Sequence, residues 1–473
     1  MYPIPLAVGA FVATYVLSRL LGHMALRPWR KSVGRHWTQR ANLLYPARVT
    51  AGLCLLVLPV DIYLALQWTC LQRDIPHFTG MGIVWLILSC AFAGSFLAHQ
   101  SFARTLYPDL KIAWHFRACF ANLLLRGVLV LVLCVTTFTM PSDFGLRTWL
   151  EAAMALAVLL AMQYGLATQV LVWMRLFKPA DDPLRKLVAD IAGHMNVKVA
   201  KVWIFQTLPA NAFALPVTQE LIFSSTLLKE LSDDQISAIC AHELGHLTES
   251  RAVRWTRQIN ALLLFPLVFM YPVESLTHSM FLYPVIVLIL ALGIKIFMAR
   301  LGRRMEVRAD SIACAQQAQP AVYARALEKL YQINQLPASM GRRKSVHPDL
   351  YDRMIAAGLT PDYAKPRPPL RHNTWSMLLY AALGVLCLMN LQQSASNLSS
   401  YNSRHLQQWL RNHPDYRSAP DSRTGPVNGP IQSIPLAPAP ANGGDHLQRI
   451  QFFKLRPSLR LHYYQLLMKG NCL

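Results

Sequence analysis

Two histidines four residues apart carry the strongest chemical signal in the sequence. They are His242 and His246 of the run His242-Glu243-Leu244-Gly245-His246. On a helix, positions i and i+4 lie one turn apart on the same face, so both imidazoles can reach one zinc ion at about 2.0–2.1 Å. The carboxylate of Glu243 can flank that metal and take a proton from an attacking water. The pattern predicts a zinc hydrolase site, and its alternative is a chance match with histidines that only pack.

A third protein ligand is expected, because a catalytic zinc keeps three protein ligands and one open position. Glu306 is the best candidate, in a helix predicted over about 299–317, and Asp310 lies one turn further on. Acids at this spacing repel each other on a bare helix. Beside a metal and an imidazole N–H they are compensated, with Glu306 as ligand and Asp310 holding a ligand histidine by its far nitrogen. The alternative is an exposed acidic pair among neighbouring arginines.

The residues around the histidine motif predict a small α+β unit. A helix is expected over 181–195, with Asp181 or Asp182 as its cap and Pro183 in its first turn. Three strand-like runs follow at Val199–Phe205, Ala212–Leu215 and Glu220–Ser224. The run Ser232-Asp-Asp-Gln235 is a capping-box pattern that opens the histidine helix.

Gly245 lies inside that predicted histidine helix, between the two histidines. Glycine there costs about 1 kcal/mol against alanine. We therefore expect another element to approach the helix backbone closely at this position.

The composition indicates a membrane protein. The chain has 473 residues, 53% of them hydrophobic and only 15% charged, with a formal net charge of +22. This hydrophobicity excludes a disordered chain, and the low charge argues against an ordinary cytosolic enzyme. A nucleic-acid-binding protein would gather its basic residues on one face. Here they lie in short blocks between long apolar runs, so we expect no nucleic-acid partner. Nine cysteines without a C-x-x-C pair predict no disulfide framework.

Eight apolar runs are long enough to cross a bilayer, which takes roughly 17–25 residues. They are found at about 4–24, 50–71, 79–99, 119–140, 149–174, 259–276, 280–298 and 374–391. The expected fold class is therefore a mostly α, polytopic membrane protein with about eight transmembrane helices and a small α+β unit. For the pair 259–276 and 280–298 the alternative is a buried hairpin of a soluble domain.

The loops between these runs predict the orientation of the chain. The loop after the first run is basic, from Arg27 to Arg48, and so is the loop from Arg104 to Arg117, whereas the opposite loops are poor in basic residues. Since basic loops stay in the cytosol, the N-terminus is expected outside and the α+β unit inside. Asp61 and Arg126 fall inside the second and fourth runs, where they either pair or Arg126 extends to the membrane interface.

Four sequence elements together resemble a known family. They are Asn211-Ala-Phe-Ala214, the histidine helix, Glu306-Val-Arg-Ala-Asp310, and His347-Pro348 followed by Arg353. In this order, with a hydrophobic hairpin between the second and the third, they are similar to the membrane zinc metalloproteases of the gluzincin type that include the CAAX prenyl proteases and the HtpX-type proteases. The resemblance covers roughly residues 180–358.

The resemblance implies a zinc metalloendopeptidase with one zinc per chain and peptide or protein substrates. Glu306 is then the third ligand, Glu243 the general base, and His347 the residue that stabilises the tetrahedral intermediate. Asn211, Ala212, Phe213 and Ala214 resemble the edge strand that pairs with the substrate backbone.

For the whole chain we expect a multi-pass protein of the bacterial inner membrane, in contact with lipids, with its site at the cytosolic face. We expect a five-helix membrane region over 1–174, a protease unit over 175–258, a membrane hairpin over 259–298, the completed protease unit over 299–372, an eighth membrane helix over 373–391 and an outer, partly flexible tail over 392–473.

The departures from the family pattern leave the substrate class open. Five spans before the catalytic helix are similar to the prenyl protease layout, whereas Asn211–Ala214 is more similar to the bacterial branch. The eighth span and the tail belong to neither. Processing of a modified C-terminal peptide in a membrane chamber, or a non-enzymatic membrane scaffold, are therefore alternatives. The natural substrate and the oligomeric state do not follow from the sequence.

Overall fold

The computed structural model describes residues 3–72, 81–108, 110–206, 209–277, 279, 282–317, 319, 321–341, 348–390 and 392–393. The chain divides into two compact units. Residues Met1–Ala65 and Pro76–Leu383 form the first, and Leu66–Ile75 with Gly384–Leu473 form the second. The elements below belong to the first unit, except for the last turns of two helices. His347 and the predicted tail beyond 393 lie outside the described residues, as does the side chain of Arg126.

The described chain begins with helices separated by short connections. They are α1 (Pro3–Arg30), α2 (Trp37–Leu56), α3 (Leu58–Gln72), α4 (Met81–Leu106), α5 (Ile112–Thr139), α6 (Leu146–Ala161) and α7 (Ala167–Trp173). A π-helical turn joins α6 to α7, with Gly165 at a φ of +118°. Small residues bring α1 and α4 together, since a side chain at Gly94 would meet the carbonyl oxygen of Phe11. The Thr14 hydroxyl also donates to the Ala91 carbonyl across this contact, at 2.9 Å.

Several of these helices are long and apolar enough to cross a membrane. Four are unbroken: Ile4–Arg30, Ile83–Leu106, Leu146–Trp173 and Leu282–Ala315. Three further spans are possible as bent pairs: Trp37–Leu56 with Leu58–Trp68, Ile112–Asn122 with Gly127–Thr137, and Arg251–Asn260 with Phe265–Thr277. The apolar helix Thr374–Asn390 is shorter. Within the described residues, the eight apolar runs fall on helical segments, and these give four to seven candidate membrane spans.

The basic loop predicted after the first run is mostly helix, which corrects its boundaries. α1 continues to Arg30 and α2 already begins at Trp37, so Arg48 lies inside α2. Its guanidinium donates to the carbonyl oxygens of Asn334 and Gln335, at 2.7 and 3.3 Å. These carbonyls end a later helix, where a cation is favourable. Arg48 therefore serves a contact within the fold rather than a free loop.

A four-stranded sheet and its helices form the predicted α+β unit. The strands are β1 (Phe177–Pro179), β2 (Lys201–Phe205), β3 (Ala212–Leu215) and β4 (Glu220–Ser224), in the order β1-β2-β4-β3. β2 runs parallel to β4, with Lys201 opposite Glu220, and the other two pairs are antiparallel. The sequence predicted β3 and β4 with the observed bounds, and it missed the three-residue strand β1.

Helices cover this sheet and bury its apolar side chains. They are α8 (Asp182–His194), α9 (Ser225–Glu230), α10 (Asp233–Leu247) and α14 (Val322–Asn334), followed by α15 (Leu350–Ala356). The Asp181 carboxylate caps α8 by accepting from the backbone N–H of Leu184 at 3.3 Å. Leu221, Phe223 and Leu244 are fully buried in the resulting core. A mostly helical fold with a small mixed sheet is confirmed.

The hairpin between α10 and Glu306 has one arm made of several short helices and one arm made of a single long helix. α11 (Arg251–Ala261), a 3-10 turn (Phe265–Phe269) and α12 (Met270–Thr277) form its first arm. α13 (Leu282–Ala315) is a single helix of 34 residues, about 51 Å long. The membrane segment predicted over 280–298 and the helix predicted over about 299–317 therefore belong to one continuous helix. Its first half exposes apolar side chains such as Ile289 and Leu290, while Glu306 and Ala313 further along are buried. The same helix is thus lipid-compatible at one end and core at the other.

Asp61 is buried at 4% exposure in the first turn of α3. Its predicted pairing with Arg126 stays untested, since the Arg126 side chain lies outside the described residues.

Candidate metal centre

The helix α10 is formed by local signals and then buried by its neighbours. The Ser232 backbone N–H donates to the Gln235 side-chain oxygen at 3.2 Å, as expected of the capping pattern. Asp233 and Asp234 lie in the first turn, where their charges favour the positive end of the helix dipole. The eight residues from Cys240 to Leu247 are all buried. A helix with no exposed face in this stretch holds its side chains in fixed positions.

Gly245 allows α13 to approach α10, as the sequence predicted. A β-carbon built on Gly245 would lie 3.2 Å from the Cα of Ala309, closer than an ordinary contact. The Arg308 guanidinium fastens the same contact by donating to the Gly245 carbonyl at 3.2 Å and to the Thr248 hydroxyl at 2.8 Å. One turn before Ala309 on α13 is Glu306. The close approach therefore places the Glu306 carboxylate against the histidines of α10.

Two imidazoles and one carboxylate converge at this contact. The Nε2 atom of His242 lies 3.6 Å from one Glu306 oxygen, and the Nε2 atom of His246 lies 3.6 Å from the other. The two rings are nearly perpendicular, with centroids 5.0 Å apart. All three residues are at most 8% exposed, and so is Glu243. The alternative of an exposed acidic pair is thus wrong for Glu306.

The far nitrogen of His242 belongs to a buried hydrogen-bond network. Its Nδ1 atom lies 2.8 Å from the Tyr323 hydroxyl and 3.1 Å from Oδ1 of Asp310. The Tyr323 hydroxyl donates to that same oxygen at 2.5 Å. Arg353 donates to both Asp310 oxygens, at 2.8 and 2.7 Å, in a bidentate pair. Asp310 therefore lies between the far nitrogen of His242 and the buried guanidinium of Arg353, and the sequence analysis did not predict the contact with Arg353.

The charges of this network shift the pKa values of its members. Burial lowers the pKa of His242, but hydrogen bonds to Asp310 and Glu306 outweigh burial and raise it to about 9. Burial likewise lowers the pKa of Arg353, and the nearby Tyr323 and Asp310 reverse this, so that its pKa lies above the usual range. Burial raises the pKa of Tyr323 well above its usual value. The network therefore holds a charged arginine and a neutral tyrosine around one carboxylate.

The far nitrogen of His246 has a carboxylate partner that sequence reasoning missed. Its Nδ1 atom lies 3.0 Å from Oε1 of Glu249, which is 4% exposed. The signal was present, because an acid three residues after a helical histidine lies on the same face. Tyr323 was also missed. It is 81 residues from His242 and lies on α14, so no local pattern could place it.

The predicted substrate strand lies at the end of the sheet. β3 pairs with β4 and is the terminal strand of the four. The Asn211 backbone N–H donates to the Ser224 hydroxyl, and the Ser224 backbone N–H to the Asn211 carbonyl, both at 2.8 Å. β3 also packs beside α10. The segment Asn211–Ala214 is thus an edge strand next to the histidine helix.

A comparison with protein-family models gives a match to peptidase family M48 over residues 180–416. This stretch is half of the chain and contains α10, the whole of α13 with Glu306, and Arg353. The chain belongs to peptidase family M48. No curated protein matches it.

Membership of peptidase family M48 indicates a metallopeptidase. The observed donor set fits that chemistry, because two imidazole nitrogens and a carboxylate are ligands that zinc accepts. Ligands of a tetrahedral zinc at about 2.0–2.1 Å lie about 3.3 Å apart, close to the 3.6 Å separations seen here. A buried group of His242, His246 and Glu306 can therefore hold a metal ion.

Proposed function

We propose that this chain is a membrane-embedded zinc metalloendopeptidase that hydrolyses peptide bonds of membrane or misfolded proteins at the cytosolic face. The observation that carries the proposal is the meeting of the two α10 histidines with Glu306 of α13, next to the buried Glu243. Three protein ligands leave one position open, which is the arrangement of a catalytic zinc. A structural zinc is usually closed by a fourth protein ligand.

The surrounding acids support this arrangement by orienting the ligands. A ligand histidine that donates its far N–H to a carboxylate is fixed in tautomer and orientation. His242 has Asp310 and Tyr323 in that position, and His246 has Glu249. The Nε2 atoms of both rings face Glu306 and would be the nitrogens that bind the metal. The metal would be held by His242, His246 and Glu306.

A zinc ion bound there supplies Lewis-acid activation of water and of the peptide carbonyl. Glu243 supplies the proton transfers. It follows His242 on the helix, so its carboxylate lies beside the ligand group without belonging to it. As general base it takes a proton from the attacking water, and it then passes that proton to the leaving amine.

The edge strand β3 supports binding of an extended peptide. A terminal strand offers backbone N–H and C=O groups along its open side, and an extended substrate can add to it as a further strand. Asn211, Ala212, Phe213 and Ala214 would provide these groups beside α10. Backbone pairing along a strand needs no chain terminus, which favours an endopeptidase. His347 is proposed to stabilise the oxyanion.

The orientation of the site in the membrane is part of the proposal. Basic residues near the connections of α1 with α2 and of α4 with α5 favour the cytosol for both connections, and so for the α+β unit. Reporter fusions after Phe177 and near Asn397 test this orientation. A cytosolic signal is expected at the first position and an outer signal at the second. A cytosolic signal at the second would contradict the eighth crossing.

Substitution of the proposed base tests the function. General-base catalysis contributes about 10²–10⁴-fold, so purified Glu243→Gln should retain zinc and fold yet cleave casein at least that much more slowly. Glu230→Gln, an exposed position at the end of α9, serves as the matched control and should cleave like the wild type. Substrates that accumulate on Glu243→Gln in native membranes would identify the natural targets. Cleavage by Glu243→Gln at the wild-type rate would show that Glu243 is not the base. The scaffold alternative, with a contaminating protease as the source of the cleavage, would then replace the proposal.

A further inference from the structure

A second cluster of metal-ligand side chains lies outside the proposed peptidase site. Among the described residues, two groups of His, Cys, Asp and Glu side chains bring three ligand atoms within 4.8 Å of one another. One is the group on α10 and α13. The other consists of His99 on α4 with His115 and Cys119 on α5. The two groups share no residue and no helix.

The three side chains of this second cluster point at one another. The Nδ1 atom of His99 lies 3.1 Å from Nε2 of His115, and Sγ of Cys119 lies 3.6 Å from the same Nε2. His115 and Cys119 are four residues apart, so they lie on one face of α5. A tetrahedral zinc ion bonds nitrogen at about 2.0 Å and sulfur at about 2.3 Å. Two nitrogen ligands of such an ion lie about 3.3 Å apart, and a nitrogen and a sulfur ligand lie about 3.6 Å apart. The observed separations are close to both values.

The protein groups alone do not satisfy this arrangement well. His99 and Cys119 both approach the same nitrogen of His115, which in a neutral imidazole offers one lone pair or one proton. The two imidazole rings are near parallel, at 16°, with centroids 5.2 Å apart, so one proton can bridge them. The Cys119 thiol then competes for the His115 Nε2 atom, which already shares a proton with His99. A metal ion would bond all three atoms at once.

The surroundings of the cluster hold its central ring in place. The Phe96 ring stacks on His115 with centroids 5.2 Å apart, and Phe116 meets Phe96 edge to face at 5.6 Å. His115 is 8% exposed, while His99 and Cys119 are half-buried. Cys119 is a free thiol. The central ligand is therefore fixed, and its two partners remain within reach of an ion from outside.

We propose that His99, His115 and Cys119 form a second metal site, which takes a transition-metal ion that accepts both imidazole and thiolate, such as Zn²⁺. Zinc and copper combine these ligand types, whereas Mg²⁺ and Ca²⁺ require oxygen. Binding releases the thiol proton of Cys119. Each neutral imidazole keeps its one proton, on the ring nitrogen that faces away from the ion. The ion stays in one oxidation state, so no electron donor or acceptor is needed.

The second site would join two membrane-region helices rather than perform hydrolysis. His99 lies seven residues before the end of α4, and His115 lies in the first turn of α5. The ion therefore ties the two helices together close to their connection. Glu243 directly follows a ligand histidine on α10, whereas Gln100 follows His99 and Phe116 follows His115, so the corresponding positions of this cluster carry no carboxylate.

Metal stoichiometry of the purified full chain tests the proposal. With Zn²⁺ as the probe, the wild type should bind two ions, and Cys119→Ser and His246→Ala one each. Cys119→Ser should keep its casein cleavage and His246→Ala should lose it, so that the two sites fail separately. Cys134→Ser, an exposed cysteine on the same helix, is the matched control and should keep two ions. Equal zinc content in Cys119→Ser and the wild type would overturn the second site.

Cobalt substitution gives a spectroscopic readout on the wild type itself, which remains informative if a variant fails to fold. The proposed peptidase site contains no sulfur, so a thiolate-to-cobalt charge-transfer band in Co²⁺-loaded wild type must come from a cysteine. We expect this band in the wild type, in His246→Ala and in Cys134→Ser, and not in Cys119→Ser. Absence of the band in the wild type, or its survival in Cys119→Ser, would leave a hydrogen-bonded histidine pair and overturn the metal site.

Discussion

The two histidine clusters of this chain have similar ligand spacing and different support. Each cluster combines two imidazoles with a third donor. The measured distances between ligand atoms within the clusters are 3.1 to 3.6 Å. On α10 the far nitrogens of His242 and His246 meet carboxylates, and a buried arginine backs one of them. On α4 and α5 the central ring instead stacks on a phenylalanine.

The difference in what surrounds the ligands is the basis on which we propose different roles for the two clusters. Carboxylates behind the ligands fix the tautomer and raise ligand basicity, and they place charge where a reaction needs it. Aromatic stacking fixes only the orientation of a ring. We therefore propose hydrolysis for the first cluster and attachment of two helices for the second. Four predictions test how far the comparison holds.

The largest effect is expected from removal of a ligand at the α10 cluster. His246→Ala should strip the metal from that site and abolish casein cleavage, because two remaining ligands do not hold a catalytic ion. His194→Ala, an exposed histidine at the end of α8, should leave metal content and cleavage unchanged. Metal analysis of the two purified variants decides the outcome. Cleavage and full occupancy in His246→Ala would refute the ligand assignment.

Loss of the carboxylate behind His242 should destabilise the protease unit. Asp310→Asn leaves the buried Arg353 without its charge partner, and such a loss costs about 3–5 kcal/mol. The double variant Asp310→Asn with Arg353→Met should recover part of this loss, because the uncompensated charge is gone. Denaturant unfolding in detergent measures both. If the double variant is no more stable than the single one, the charge pair is not the cause.

Removal of the carboxylate behind His246 should weaken the metal without unfolding the chain. Glu249→Gln keeps the side-chain shape, and loss of such a partner lowers metal affinity by about 10–100-fold. Competition with a chelator measures the affinity, and Glu230→Gln is the control. The second cluster should keep its metal in this variant, since Glu249 supports only His246. Unchanged affinity at the α10 site would mean that Glu249 does not orient its histidine.

The smallest effect is expected where α10 and α13 touch. Gly245→Ala pushes a methyl group against Ala309, and overpacking of this kind costs about 1–3 kcal/mol, offset by about 1 kcal/mol of helix propensity. Gly193→Ala on α8 meets no atom within 4 Å and should be neutral or slightly stabilising. Thermal unfolding of both variants compares them. Equal stability would show that the helices have room at this contact.

Local sequence patterns fixed the pieces of the site. The capping run at Ser232–Gln235, the four-residue spacing of the histidines and the bounds of β3 and β4 were all predicted, and the structure has these elements at those positions. Such features depend on residues within a few positions of one another, so the sequence contains the whole cause. The glycine of the histidine run also predicted a close neighbour, although the sequence did not name Ala309 as that neighbour.

Only the tertiary structure decided which distant residues meet. Tyr323 reaches His242 across 81 residues, and Arg353 reaches Asp310 across 43. The unbroken α13 and the meeting of His99 with His115 were likewise not predicted. Helical periodicity shows which face of a helix is buried, but the axial shift and rotation between two packed helices depend on all the side chains at their contact. Partners on different helices are therefore set by packing over the whole unit rather than by any local pattern.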